Sequence, residues 1–100
     1  MSRLSLDFPH KLGQEEAIRR LRDKFEFVRN LYHDRVSGLQ EQWNGGTYSF
    51  GFKIVGMSIA GTITVTDDSV KTATDLPLAA MIFKKPIEER VRKELGTLLA

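Results

Sequence analysis

The side chains that most often bind metals are few in this sequence and badly spaced for the purpose. The only histidines are His10 and His33, and neither has a second histidine or a carboxylate at the spacing of a metal site. Asp67 and Asp68 are adjacent, whereas a calcium loop needs acidic ligands at alternating positions. The chain has no cysteine, which excludes thiolate ligands, disulfides and cysteine catalysis. The sequence therefore predicts no metal site.

A catalytic site is not indicated either. Ser58 lies near glycines but without the G-x-S-x-G spacing of a nucleophile elbow, and its place in an alternating segment points it outward from a strand. The glycines from Gly51 to Gly56 are too sparse for a dinucleotide fingerprint, and there is no Walker A loop. Because no nucleophile, base and stabilising group occur together, we expect no enzymatic activity, no catalytic residue and no cofactor.

Length and composition indicate one soluble domain over residues 1–100. Hydrophobic residues make up 41% of the chain and charged residues 28%, as in ordinary globular proteins. There is no run of about 20 apolar residues, so we expect no membrane span. The first ten residues have no apolar stretch of signal-peptide length, and we expect a cytoplasmic protein.

Charge decides how strongly a nucleic-acid partner is indicated. Fifteen Lys and Arg against thirteen Asp and Glu give a net charge of +2, so no strongly cationic face is expected. The central order of helix, three strands and helix is also that of the double-stranded RNA-binding domain. However, Leu78–Phe83 is apolar where that fold places its strongest basic cluster. A small nucleic-acid-binding domain is therefore the second interpretation of the chain.

Hydrophobic periodicity predicts the elements in the first third of the chain. Residues 4–8 alternate between apolar and polar, which is typical of a short strand with one buried face. An apolar stripe at helical spacing then predicts a helix that begins after Gly13 and ends at about Asp34 or Val36. The stripe consists of Ala17, Ile18, Leu21, Phe25, Val28 and Tyr32.

After Gly38 the period changes to two. The sequence predicts strands over residues 39–43, 48–54 and 57–65, with a hairpin signal at Asn44-Gly45. The segment 70–74 is short, but its β-branched residues predict a last strand. The alternation of Tyr48, Phe50 and Phe52 matches a sheet face covered by helices, so we expect these rings in the core.

The last third of the chain is predicted to be helical. Pro86 cannot sit inside a regular helix, so we expect a short helix near Leu78–Lys84 and a longer one from Pro86 to Leu99. The predicted fold is α+β, in the order β-α-β-β-β-α, with an antiparallel sheet and both helices packed on one face. A homodimer through unpaired sheet edges stays open.

One segment predicts an interaction surface. Leu78–Phe83 contains six consecutive apolar residues, which exceeds what one helix face can bury, so part of it is expected to be exposed unless it forms a buried turn. An exposed segment would suit an apolar surface or a partner protein. The candidate surface consists of Leu78, Met81, Ile82, Phe83, Lys84 and Lys85. A third interpretation is a carrier of a small hydrophobic ligand, with a pocket between the first helix and the aromatic sheet face.

Several short motifs occur in a fixed order along the chain. They are His10-Lys11-Leu12-Gly13, Ala17, Arg20, Trp43 before a hairpin, a strand around Gly61, Leu76-Pro77 and the tail from Ile87-Glu88 to Leu98-Leu99. In this order they resemble the polyhydroxyalkanoic acid system family over nearly the whole chain. The resemblance implies a small cytoplasmic accessory or regulatory protein of polyhydroxyalkanoate storage. Its partner would be the granule surface or a granule-associated protein. The family has no accepted catalytic residues, so none is assigned.

Overall fold

The computed structural model describes residues 2–100, and Met1 of the predicted domain lies outside them. Within these residues the chain forms one five-stranded antiparallel sheet and two α-helices, which confirms the α+β class. The elements are β1 (Ser2–Pro9), α1 (Gln14–Tyr32), β2 (Val36–Asn44), β3 (Thr47–Ile54), β4 (Met57–Val65), β5 (Ser69–Leu76), a 3₁₀ segment (Leu78–Phe83) and α2 (Lys84–Leu98). Four strands, not three, therefore follow α1.

The strand order across the sheet is β1-β5-β4-β3-β2. Strands β2 to β5 form a meander, and β1 returns to pair with β5, so that Leu4 lies opposite Thr74. The predicted order β-α-β-β-β-α therefore has one strand too few, although residues 70–74 were themselves predicted as a strand. In the structure they are the centre of β5, which is paired on both sides and therefore extends from Ser69 to Leu76.

The two faces of the sheet differ in character. The outer face carries small and polar side chains, including Ser58, which is exposed as the alternation predicts. The inner face carries the apolar residues, and both helices pack against it. The central cluster joins both helices to β4 and β5 and consists of Ala17, Leu21, Val65, Val70, Leu95 and Leu99. A second, smaller cluster of Leu4, Leu76 and Ala80 lies under the 3₁₀ segment.

Helix α1 is held at its N-terminal end by charged groups as well as by the core. The Glu16 carboxylate accepts hydrogen bonds from Arg19 and Arg20, each at 2.8 Å, and these bonds lower the pKa of Glu16 to about 2. Arg20 also donates to the carbonyl oxygens of Leu98 and Ala100 at 3.0 and 2.9 Å. Arg20 therefore ties α1 to the end of α2 while Glu16 holds its guanidinium in place.

Pro86 lies in the first turn of α2, two residues after the helix begins at Lys84. The first backbone N–H groups of a helix have no partner within it, so a proline there removes no hydrogen bond. The helical region is therefore divided, as predicted, but the boundary falls before Lys84 instead of at Pro86. The preceding piece is a 3₁₀ segment and not an α-helix.

His10 is the buried link between the end of β1 and the turn after β4. Leu12 N–H donates to its Nδ1 at 3.1 Å, which leaves Nε2–H to donate to the carbonyl oxygen of Thr66 at 3.0 Å. Replacing His10 with alanine removes both partners, and a buried group left unpaired costs about 1–3 kcal/mol. We expect His10→Ala to lower the free energy of unfolding by about 2 kcal/mol in urea denaturation.

The matched control for this prediction is Lys11→Ala, because Lys11 is adjacent and exposed. The control should stay within about 0.5 kcal/mol of the parent protein. If His10→Ala were as stable as the control, the imidazole would not be holding the two segments together.

Candidate functional site

The segment predicted as an interaction surface is exposed in the structure. Leu78, Ile82 and Phe83 have exposed fractions of 77%, 78% and 52%. Ala80 is buried against the sheet and Met81 is half-buried. A 3₁₀ segment has three residues per turn, so Ala80 can face the sheet while its neighbours point away from it. The alternative of a fully buried turn is therefore excluded.

Strand pairing places other exposed apolar residues at the same end of the molecule. Met57 pairs with Ile54, and Ile54 pairs with Val36, so the turn after β3 and the end of α1 lie at the end of the sheet where β5 stops. Val55 at the tip of that turn is almost fully exposed and has a φ of 50°. We call this end of the molecule the apolar end; its exposed apolar residues are Leu31, Tyr32, Val55, Leu78, Ile82 and Phe83.

Basic side chains flank the apolar end. Lys84 and Lys85 directly follow Phe83, and Lys53 precedes the turn that carries Val55. Arg35 lies beside Tyr32, with its guanidinium carbon 5.7 Å from the ring centroid. Long basic side chains can lay their alkyl parts along an apolar surface while keeping the charge in water. The arrangement is therefore suited to contact with an apolar phase that has a polar boundary.

A groove of about 610 Å³ opens between the two helices and the inner face of the sheet. Its floor includes Tyr48, Phe50, Phe52 and Ile63, and its helix walls include Leu21, Phe25 and Val28 from α1 with Val91, Leu95 and Leu98 from α2. The wall is almost wholly apolar. The pocket of the third interpretation is thus present, between α1 and the aromatic face of the sheet.

The expectation that the strand aromatics are core residues is only partly correct. Tyr48 is buried, but Phe50 and Phe52 are half-buried and line the groove. Strands lie about 4.8 Å apart and a helix is about 10 Å wide, so two helices do not cover five strands unless they lie side by side. Here α2 approaches β1 and α1 approaches β4, so Phe50 and Phe52 of β3 stay half-buried on the floor of the groove between the helices.

The aromatic residues of the groove form a continuous ladder. Ring centroids are 4.6 Å apart for Phe25 and Tyr48, 5.7 Å for Tyr48 and Phe50, and 6.2 Å for Phe50 and Phe52. Trp43 on the edge strand β2 joins the ladder at Tyr48, with a centroid distance of 5.0 Å. The rings therefore pack against one another from the sheet edge to the middle of the groove.

The charged residues on the rim of the groove are paired with each other. Arg29 contacts the Glu41 carboxylate at 2.6 Å. Lys24 and Arg90 both contact Glu94, at 3.2 and 3.0 Å, and they lower the pKa of its carboxyl. Burial, and then the nearby Glu41 carboxylate, raises the pKa of Tyr48 to about 12, so its hydroxyl is neutral at physiological pH. The rim thus presents ion pairs above an apolar interior, and two cations share the Glu94 carboxylate.

The structure gives no support to a metal centre among residues 2–100, where no three His, Asp or Glu side chains converge. His10 is used structurally, and the Nδ1 of His33 lies 2.9 Å from the carbonyl oxygen of Asn30. Across the same residues, neither helix is both long and apolar enough to cross a membrane.

The fold and these surfaces define a small α+β protein with an apolar groove and an apolar end. A family model described as "putative polyhydroxyalkanoic acid system protein" matches residues 4–99, and the chain belongs to this family. The match confirms the resemblance seen in the sequence motifs. No curated protein and no solved structure matches the chain.

Proposed function

We propose that this protein is a non-enzymatic accessory protein of polyhydroxyalkanoate storage that docks on the granule surface through its apolar end. Membership in the family supports the connection with the polymer. The observation that carries the docking step is the exposure of Leu78, Ile82 and Phe83 beside Lys84 and Lys85. Such a protein would work in the cytoplasm, where it meets the granule surface.

The energetics of this contact favour reversible binding. Complete burial of a Leu, Ile or Phe side chain contributes about 1.5–3 kcal/mol, and these three are already partly covered, so each would add about 1–2 kcal/mol. The sum is comparable to a single lipid anchor, which gives marginal, reversible attachment. Lysines at the boundary would add attraction to any anionic component of the granule coat. An accessory protein that exchanges between granules needs contacts of this strength.

Co-sedimentation with isolated polyhydroxyalkanoate granules tests the proposal. We expect the triple variant Leu78→Ser, Ile82→Ser, Phe83→Ser to lose at least tenfold in granule affinity, because its apolar contact is removed. The three side chains are exposed, so the variant should keep the circular dichroism spectrum of the parent protein. The single variant Ile82→Ser, at the most exposed of the three, should show a smaller loss in the same direction.

The matched control is Phe27→Ser, since Phe27 is an exposed aromatic residue on α1 outside the apolar end. It should co-sediment like the parent protein. A folded triple variant that still binds granules as tightly as the parent would disprove docking through this end. Binding to duplex RNA or DNA that weakens with salt, without granule binding, would instead favour the nucleic-acid interpretation.

A further inference from the structure

We infer that the groove between α1, α2 and the sheet is a binding site for a short segment of a neutral aliphatic polyester chain. The inference rests on the proposed function for the connection with polyhydroxyalkanoate, but not on docking through the apolar end. It assigns a ligand class to a surface that docking leaves unused. The groove volume of about 610 Å³ lies within the range of about 300–1,000 Å³ that is usual for small-molecule sites.

The lining of the groove selects against a peptide. A peptide carries a backbone N–H group at nearly every residue, and an N–H group buried in an apolar wall without a partner is costly. An aliphatic polyester has ester oxygens that accept hydrogen bonds but no donors along its chain. Its alkyl groups can pack on Phe50, Phe52 and Val91, while its carbonyl oxygens face the open side of the groove.

The rim charges can stay as they are when a neutral ligand binds. Arg29 is paired with Glu41, and Lys24 and Arg90 share the Glu94 carboxylate. A fatty-acid carboxylate would compete with Glu41 or Glu94 for these cations, whereas a neutral ester chain leaves every pair intact. Because the three cations outnumber the two carboxylates, a comparison with a fatty-acid anion tests this choice of ligand directly.

The extent of the groove agrees with this ligand. Where α1 ends, the groove is lined by Tyr32, His33, Val36 and Ile54. These residues lie at the end of the sheet where the apolar end also lies. A protein docked by the apolar end would bring this part of the groove close to the granule. A loose polymer segment could then pass from the granule surface into the groove without crossing bulk water.

The test uses a short oligo(3-hydroxybutyrate) blocked as a neutral ester at both ends. Its binding is followed by the fluorescence of Trp43, which stacks on the groove aromatics, and by the rise in melting temperature. We expect saturable binding to the parent protein. Laurate and an apolar peptide of similar length should bind at least tenfold more weakly than the ester.

Two adjacent residues on α1 provide the variant and its matched control. Val28 lines the groove, whereas Phe27 is exposed and does not contribute to the lining. We expect Val28→Glu to weaken oligoester binding at least tenfold and Phe27→Glu to change it less than twofold. Native-like circular dichroism is required of both variants, and Val28→Gln replaces Val28→Glu if the charged variant does not fold.

The outcomes separate this inference from the proposed function. If the parent protein binds granules but not the oligoester, the groove inference is wrong and docking stands. Equal oligoester binding by Val28→Glu and Phe27→Glu, or tighter binding of laurate than of the ester, also overturns it. If the oligoester binds in the groove while the apolar-end triple variant still co-sediments normally, docking through that end is wrong and the groove inference stands.

Discussion

Replacing Leu21 with alanine is expected to lower the free energy of unfolding by about 3–4 kcal/mol, near the middle of the range for leucine-to-alanine changes in cores. Leu21 is 2% exposed and is among the largest fully buried side chains. It lies in the cluster where both helices meet β4 and β5. Its removal leaves a space at the wall of the groove that the strands on one side and α2 on the other cannot fill.

Urea denaturation of Leu21→Ala beside Leu31→Ala measures this effect. Leu31 is on the same helix but is 56% exposed, so its replacement should cost less than about 0.5 kcal/mol while changing helix propensity equally. Equal losses in the two variants would mean that α1 is stabilised by its own ion pairs and not by packing. Unequal losses of the expected size would place the stabilising contacts of α1 in its first half.

Gly61→Ala is the second substitution with a large expected effect. A methyl group at Gly61 would lie 2.6 Å from the carbonyl oxygen of Ala73, 2.9 Å from Phe50 Cζ and 3.0 Å from Thr74 Cα. Two of these atoms belong to the backbone of β5 and cannot move without disturbing the sheet. We expect a loss of about 3 kcal/mol, since overpacking in a filled interior costs about 1–3 kcal/mol and sometimes more.

The same substitution also tests the aromatic ladder. Gly61 lies directly opposite Phe50, and the absence of a side chain there gives the ring its place on the groove floor. Near-ultraviolet circular dichroism should therefore change together with the melting temperature. The control is Gly51→Ala, where the nearest atoms to a new methyl group are 3.9 Å away. A Gly61→Ala protein as stable as Gly51→Ala would show that the β4–β5 backbone relaxes freely.

Periodicity predicted the elements of this fold well, because alternation and helical spacing report which side of an element is apolar. It did not predict how much of each element is covered. The stripe from Ala17 to Tyr32 looks uniform in the sequence, yet Ala17 and Leu21 are buried while Val28 and Tyr32 are exposed. The difference arises because α2 and the core meet only the first half of α1. Coverage depends on where another element lies, which local spacing does not encode.

The candidate surfaces show the same difference between features that the local sequence predicts and features that depend on packing. The six consecutive apolar residues from Leu78 to Phe83 indicated either a partly exposed segment or a buried turn, since a surplus of apolar residues is a local property and its burial is not. The aromatic alternation of β3 predicted one apolar face and suggested a pocket beneath the first helix as one interpretation. The ion pairs of the rim could not be predicted, because the Lys24–Glu94 pair joins two helices that are distant in sequence. Only the packed chain brings these groups together.

The return of β1 to the far edge of β5 has a consequence for how the chain folds. Ser2 pairs with Leu76, so β1 has no partner strand until β5, the last strand of this sheet in chain order, has been made. The hairpins from β2 to β5 can form early from contacts close in sequence, whereas closing β1 onto β5 requires a long loop and is slow. Until then the apolar sides of Leu4 and Leu6 are uncovered. The rate of folding is therefore expected to follow this closure, and a chain released before β5 is complete would be prone to aggregate.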